Sequence, residues 1–219
     1  MTIWMTARGA GLSALVLLTI STCLGALLHG GGRPLPRLIV QYVHRVVGAL
    51  GIGVLLLHVA TILADSYAHV GAIGAVVPFT SSYRATWVGL GTIAAYTMLL
   101  VGVLGAARGR LAASPRGAAL WRPLHALAYA GWAVAMVHGF SSGTDTSVGW
   151  VRLLYLLCGA AVVGSIVARV VDQPAPEPVP AGWLSAGSPV PPLRPAPLAR
   201  HQPDTPRELA AQELLDVTR

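Results

Sequence analysis

The chain has 219 residues, of which 54% are hydrophobic and only 11% charged, where an ordinary soluble domain carries about 25% charged residues. That deficit argues against a soluble globular enzyme and for a membrane protein. The net charge of +7 comes from basic residues that are all Arg. They sit between apolar stretches and in the C-terminal tail, with no basic stripe interleaved with aromatics, so the charge reads as membrane topology and not as a nucleic-acid surface.

Five stretches are long and apolar enough to cross a bilayer, at about 10–29, 38–64, 86–106, 119–139 and 149–171. The first has an apolar run longer than the core of a signal peptide and ends in HGGGRP instead of a small-residue cleavage site, so it reads as a retained helix. Arg33, Arg37 and Arg45 follow it. Arg108, Arg110, Arg116 and Arg122 follow the third stretch, and Arg169 ends the fifth. The opposite side holds only Arg8, Arg84 and Arg152. The Arg-rich side is therefore expected in the cytoplasm, with the N-terminus outside and the C-terminus inside. Tyr67, Tyr83, Trp87 and Trp150 then mark the outer interface, and Tyr42 and Trp121 the inner one.

The outer connection SYAHVGAIGAVVPFTSSYRAT has an apolar centre too short to span, expected to dip into the interface or cap the bundle. Cys23 and Cys158 lie inside apolar spans without metal-ligand spacing and read as packing residues. From residue 173 the chain turns Pro-, Ala- and Gly-rich, which predicts disorder. It ends in TPRELAAQELLDVTR, where Thr205, Pro206 and Glu208 open a short amphipathic helix. The expected fold is an all-α integral membrane protein: a bundle of about five transmembrane helices over residues 1–172, then a disordered Pro-rich cytoplasmic tail over 173–219.

Four histidines lie in spans: His44 and His58 on the second, His125 and His138 on the fourth. A polar ring at membrane depth is costly and usually functional. The two spans run in the same direction, so His44 and His125 share one depth and His58 and His138 another. Opposed imidazole pairs at matched depth suit six-coordinate heme, whose two axial positions they fill. Fourteen residues of helix rise about 21 Å, which leaves room for two stacked macrocycles. The rotation is less regular. Fourteen steps return to within about 40° of the starting face, whereas thirteen miss it by about 140°, so a distortion near Gly131, tilt or rotamer choice has to absorb the difference.

Gly48, Gly51 and Gly53 between the two histidines of the second span, and Gly131 on the fourth, either clear a path for a flat macrocycle or pack helices together. Trp132 is either an aromatic wedge between the two layers or ordinary packing. Arg45 and Arg122 either pair with heme propionates or serve topology alone.

His44-x13-His58 with His125-x12-His138 resembles the ferric reductase-like transmembrane domain, the family of ferric reductases, NADPH oxidases and the heme-bearing membrane subunit of bacterial methionine sulfoxide reductase systems. The resemblance covers residues 8–171, and the unequal spacing is part of it. It implies two b-type hemes, an inner one on His44 and His125 and an outer one on His58 and His138, with Arg45, Gly48, Gly51 and Trp132 beside them. It also implies electron transfer from the cytoplasm to an extracytoplasmic acceptor: ferric iron, oxygen or a partner redox protein. The full-length oxidases carry an FAD/NADPH domain after the last helix. This chain has a Pro-rich tail there, without a Gly-rich phosphate loop, and one N-terminal span fewer than larger relatives. The donor is then a separate flavoprotein reductase or a quinol. The competing readings are a His-based proton relay or transport protein without heme, which lacks the usual intramembrane carboxylates, and a membrane scaffold acting through its tail. His29, His69 and His201 are left over, with His69 an ordinary loop residue or an outer iron ligand.

Overall fold

The computed structural model describes residues 2–28, 34–65 and 70–171. The Pro-rich tail with its expected terminal helix, and His29, His69 and His201, fall outside these. The elements are α1 (Thr2–Leu27), α2 (Pro34–Ala64), α3 (Gly71–Val76), α4 (Ala85–Ala106), α5 (Arg108–Leu111), α6 (Pro115–Ser142), a 3-10 turn (Thr144–Ser147) and α7 (Gly149–Val171). No strand occurs among the described residues. This is the expected all-α membrane bundle. A chain in hydrocarbon must satisfy its own backbone polar groups, and the helix does so within one segment. Hydroxyls follow the same rule. Thr19 and Thr22 donate to the carbonyls of Leu15 and Leu18, at 2.7 and 2.8 Å.

α1, α2, α4 and α7 are long and apolar enough to cross a membrane, which makes the chain a multi-pass membrane protein. The remaining expected span, 119–139, is the 28-residue α6. It is long enough, but Arg116, Arg122, Pro123, His125, Tyr129 and His138 dilute its apolar character. It starts where Ser114 caps Gly117 N–H at 3.1 Å with Pro115 in the first turn.

α1 packs along α2 and also touches α6 and α7, while α4 packs along α6. The core gathers Leu15 and Leu18 of α1, Met98 of α4, Trp132 of α6, and Val151, Tyr155, Cys158 and Val162 of α7. Cys158 thus packs in the core, and both thiols are free. Leu153, Leu156, Leu157 and Val163 of α7 face outward, as a lipid-facing surface does.

The apolar connection between α2 and α4 folds back along α4. Thr92 donates to Ala75 O at 3.1 Å and Tyr96 to Val76 O at 2.6 Å, which covers carbonyls at the end of α3. Thr92 lies seven residues into α4, about 10 Å along its axis, so the segment dips below the helix end. Gly89 permits this approach, since a Cβ there would stand 2.6 Å from Phe79 N. Phe79 itself turns the chain at φ 68°. The three Arg at this end of the bundle are all engaged. Arg8 pairs with Asp145, Arg84 Nη1 donates to Ser141 O at 2.9 Å, and Arg152 Nε donates to Thr146 O at 2.6 Å.

Candidate functional site

The four span histidines sit on α2 and α6, and each ring rests on the neighbouring helix of its own pair. His58 Nδ1 lies 2.7 Å from Ala7 O and His44 Nδ1 2.8 Å from Ser21 O, both on α1. His138 Nδ1 lies 2.7 Å from Trp87 O, in the first turn of α4. A carbonyl oxygen only accepts, so in each neutral ring Nδ1 carries the proton and Nε2 keeps its lone pair. None of the four Nε2 atoms makes a hydrogen bond among the described residues.

Each ring also lies against a glycine. A Cβ added to Gly11 would meet His58 Cε1 at 3.1 Å, and one on Gly25 would meet His44 Cε1 at 3.1 Å. On α4 the same test places His138 Cε1 2.5 Å from Gly91 and His125 Cε1 3.3 Å from Gly105. The arrangement is thus repeated: a glycine-bearing helix, α1 or α4, backs a histidine-bearing helix, α2 or α6.

His125 is the exception. Its Nδ1 is buried and without a hydrogen-bond partner. Its ring stacks on Trp121, centroids 5.1 Å apart and planes 16° from parallel. The Arg108 guanidinium lies over the Trp121 ring, 5.1 Å from its centroid. Trp121 is fixed in turn by Nε1–H donating to Leu104 O at 3.0 Å.

Across the bundle, His44 and His125 face one another with centroids 6.2 Å apart and planes at 78°. At the other end, His58 rests on α1 and His138 on α4. The structure therefore brings His44 and His125 together ring to ring, and places His58 and His138 toward the other end of the same two helices without a ring contact between them. α2 and α6 scarcely touch each other directly, and only 6% of the most apolar window of α2 is buried. No group of three or more His, Cys, Asp or Glu forms a ligand cluster among the described residues.

The other predicted site residues lie as follows. Gly48 faces α1, where a Cβ would stand 3.0 Å from Ser21 Oγ; Gly51 faces Leu17 and Leu18 of the same helix. Gly53 has no neighbour within 4 Å, and Gly131 packs on Thr97 and Met98 of α4. Trp132 is buried at mid-depth, and its Nε1–H donates to Thr19 Oγ1 at 2.8 Å. It thereby ties α6 to α1. Arg45 and Arg122 are exposed near the His44/His125 end.

Sequence reasoning missed Gly11, Gly25, Gly91 and Gly105, and two serines. Ser21 Oγ lies 3.1 Å from His44 Nδ1; Ser142 Oγ lies 3.2 Å from His138 Nδ1 and donates to His138 O. The available signal was spacing, since both glycine pairs are separated by fourteen residues, as His44 and His58 are. No family model, no curated protein and no solved structure matches the chain.

Proposed function

We infer that the chain is a diheme b-type membrane electron-transfer subunit of the ferric reductase-like kind. The observation that carries this reading is the opposed pair His44 and His125. Two imidazoles bound on opposite sides of one metal, with metal–nitrogen bonds of about 2.0 Å, have ring centroids roughly 6 Å apart; the pair stands at 6.2 Å. Three further features support it. Nδ1–H of His44, His58 and His138 is tied to a backbone carbonyl, the usual second-shell contact of a metal-bound imidazole. A bare metal ion needs three or four protein ligands, whereas a macrocycle that brings four nitrogens needs two, the number each pair offers. α2 and α6 stand apart where a flat group would enter.

Bound heme would supply a one-electron iron couple at each layer. His44 with His125, and His58 with His138, would hold it through Nε2. The layers are about 21 Å apart along α2, and Trp132 fixes the helices between them. With the Arg-rich end in the cytoplasm, heme held by His44 and His125 would accept electrons from a separate flavoprotein reductase or a quinol, and heme held by His58 and His138 would give them to an extracytoplasmic acceptor. A proton relay is disfavoured because a relaying imidazole exchanges protons at both nitrogens, and three of the four have one nitrogen committed to a carbonyl.

The test is heme per chain by pyridine hemochrome, with a reduced-minus-oxidised spectrum, on chain purified in detergent after expression with ample heme. About two low-spin b hemes, falling toward one in His58→Ala or His138→Ala, is the expected result. Absence of heme overturns the reading.

A further inference from the structure

The four glycines under the four rings obey one rule. The carbonyl that faces each Nδ1 belongs to the residue four positions before the glycine: Ala7 before Gly11, Ser21 before Gly25, Trp87 before Gly91. The fourth case follows suit, since Val101, four before Gly105, is the backbone carbonyl that His125 faces, but there Nδ1 falls short of a well-formed hydrogen bond. The reason is geometric. In a helix the carbonyl of residue i−4 points toward residue i and already accepts its N–H. The Cβ of residue i tilts back over that preceding turn, so an ordinary side chain covers the oxygen's second lone pair. Glycine uncovers it, and a neighbouring imidazole then lies flat on the gap with Nδ1–H on the oxygen.

Resting on the diheme reading, we propose that Gly11, Gly25, Gly91 and Gly105 are positioning residues that set the tautomer of the span histidines, and that three of these locks are closed while the fourth, at His125, is open. A closed lock holds the proton on Nδ1 and leaves Nε2 as the lone-pair nitrogen for the space between α2 and α6. Through Nδ1–H···O=C it also makes the imidazole a stronger donor to a bound metal. The open lock follows from register. Gly91 and Gly105 are fourteen apart, but His138 and His125 only thirteen. His125 Nδ1 is accordingly 3.9 Å from a Cβ built on Gly105, against 2.6 Å for His138 on Gly91. Stacking on Trp121 replaces the missing lock. The layer holding His125 therefore has one locked ligand and the other layer two.

The experiment uses the full chain, labelled with 15N-histidine, purified in detergent as isolated without added heme and again after heme loading. At a pH where imidazole is neutral, 15N shifts in the heme-free fraction report the tautomer directly. His44, His58 and His138 are expected in the Nδ1–H form and His125 in a different or mixed form. Gly→Ala is expected to shift the tautomer only at the facing ring, most for Gly91→Ala, less for Gly11→Ala and Gly25→Ala, and not at all for Gly105→Ala. In heme-loaded samples Gly11→Ala and Gly25→Ala should raise the midpoint potential of one heme each. Nε2–H tautomers at the three locked positions in the unmodified chain overturn the proposal without any variant having to fold. Tautomers that ignore the glycine substitutions overturn it too. Failure to take up heme, with the tautomers as expected, sinks the diheme reading and leaves the locks standing.

Discussion

Trp132→Phe tests whether the two helix pairs are joined at mid-depth by one buried hydrogen bond. The indole Nε1–H donates to Thr19 Oγ1 at 2.8 Å, and the ring is 8% exposed, in contact with Leu15, Leu18 and Met98. Interhelical hydrogen bonds in membranes average about 0.6 kcal/mol and reach about 1.7. Losing the pyrrole part of the ring leaves a void roughly the size of one water, ~30 Å³, which at about 24 cal/mol per Å³ costs roughly 0.7 kcal/mol. The Thr19 hydroxyl is not stranded, because it still donates to Leu15 O. The total is roughly 1.5 kcal/mol, a fall in melting temperature of about 3–6 °C for a chain of this size. Thr19→Val strands the buried indole N–H instead and costs about 1–3 kcal/mol. In the double variant no donor remains to be stranded. Its cost should fall short of the sum of the singles by about 0.5–1.5 kcal/mol. Melting in detergent, followed by circular dichroism, gives all three values. Additivity within about 0.3 kcal/mol would show that the two side chains do not depend on one another, and the joint between α1 and α6 would have to lie elsewhere.

Two other outcomes follow from specific contacts. With imidazole planes at 78° on His44 and His125, ferric heme at that layer should give the highly anisotropic low-spin electron paramagnetic resonance signal of near-perpendicular axial ligands; an ordinary rhombic signal from that layer would contradict the geometry. Tyr96→Phe removes the hydroxyl that covers Val76 O and should cost the folded-back segment about 1 kcal/mol, or roughly fivefold more frequent opening. Hydrogen exchange over residues 70–83 reads this, and unchanged exchange there would show that Thr92 alone holds the segment.

The helices were legible in the sequence because a bilayer demands long apolar runs, and polar interruptions are visible against them. Residues 149–171 match α7 at both ends, and 38–64 and 86–106 match α2 and α4 closely. The first span was drawn too short. Its opening turns carry Trp4, Thr6 and Arg8, which lower hydropathy without breaking a helix. The approach of His44 to His125 was legible from matched depth. The rotational setting was not, because it depends on which helix backs which. Gly48 and Gly51 look like a cleared path only if α2 faces α6 along its glycine side. In the structure that side faces α1, with Ser21 and Leu18 against it. The glycines under the rings lie on other helices, where nothing in the local pattern distinguishes them from packing residues.

The unequal histidine spacing turns out to have a physical address. In the α1–α2 pair, glycines and histidines both repeat at fourteen, so two imidazoles can lock onto one helix edge with the same tilt. In the α4–α6 pair the glycines keep fourteen and the histidines have thirteen, and a rotation of about 140° per thirteen residues cannot be hidden in both rings at once. His138 takes the lock, and the whole mismatch falls on His125. Gly131, where a distortion could absorb the difference, is packed tightly on Thr97 and Met98. Pro123, two residues before His125, lies inside the continuous α6 and lacks the N–H that would bond to the carbonyl four residues earlier. The His44/His125 layer consequently combines one carbonyl-locked imidazole with one held by an aromatic stack under Arg108. Two pairs of the same side-chain type are thereby made chemically unequal by a single residue of register, and heme bound as proposed would meet one singly locked and one doubly locked ligand set.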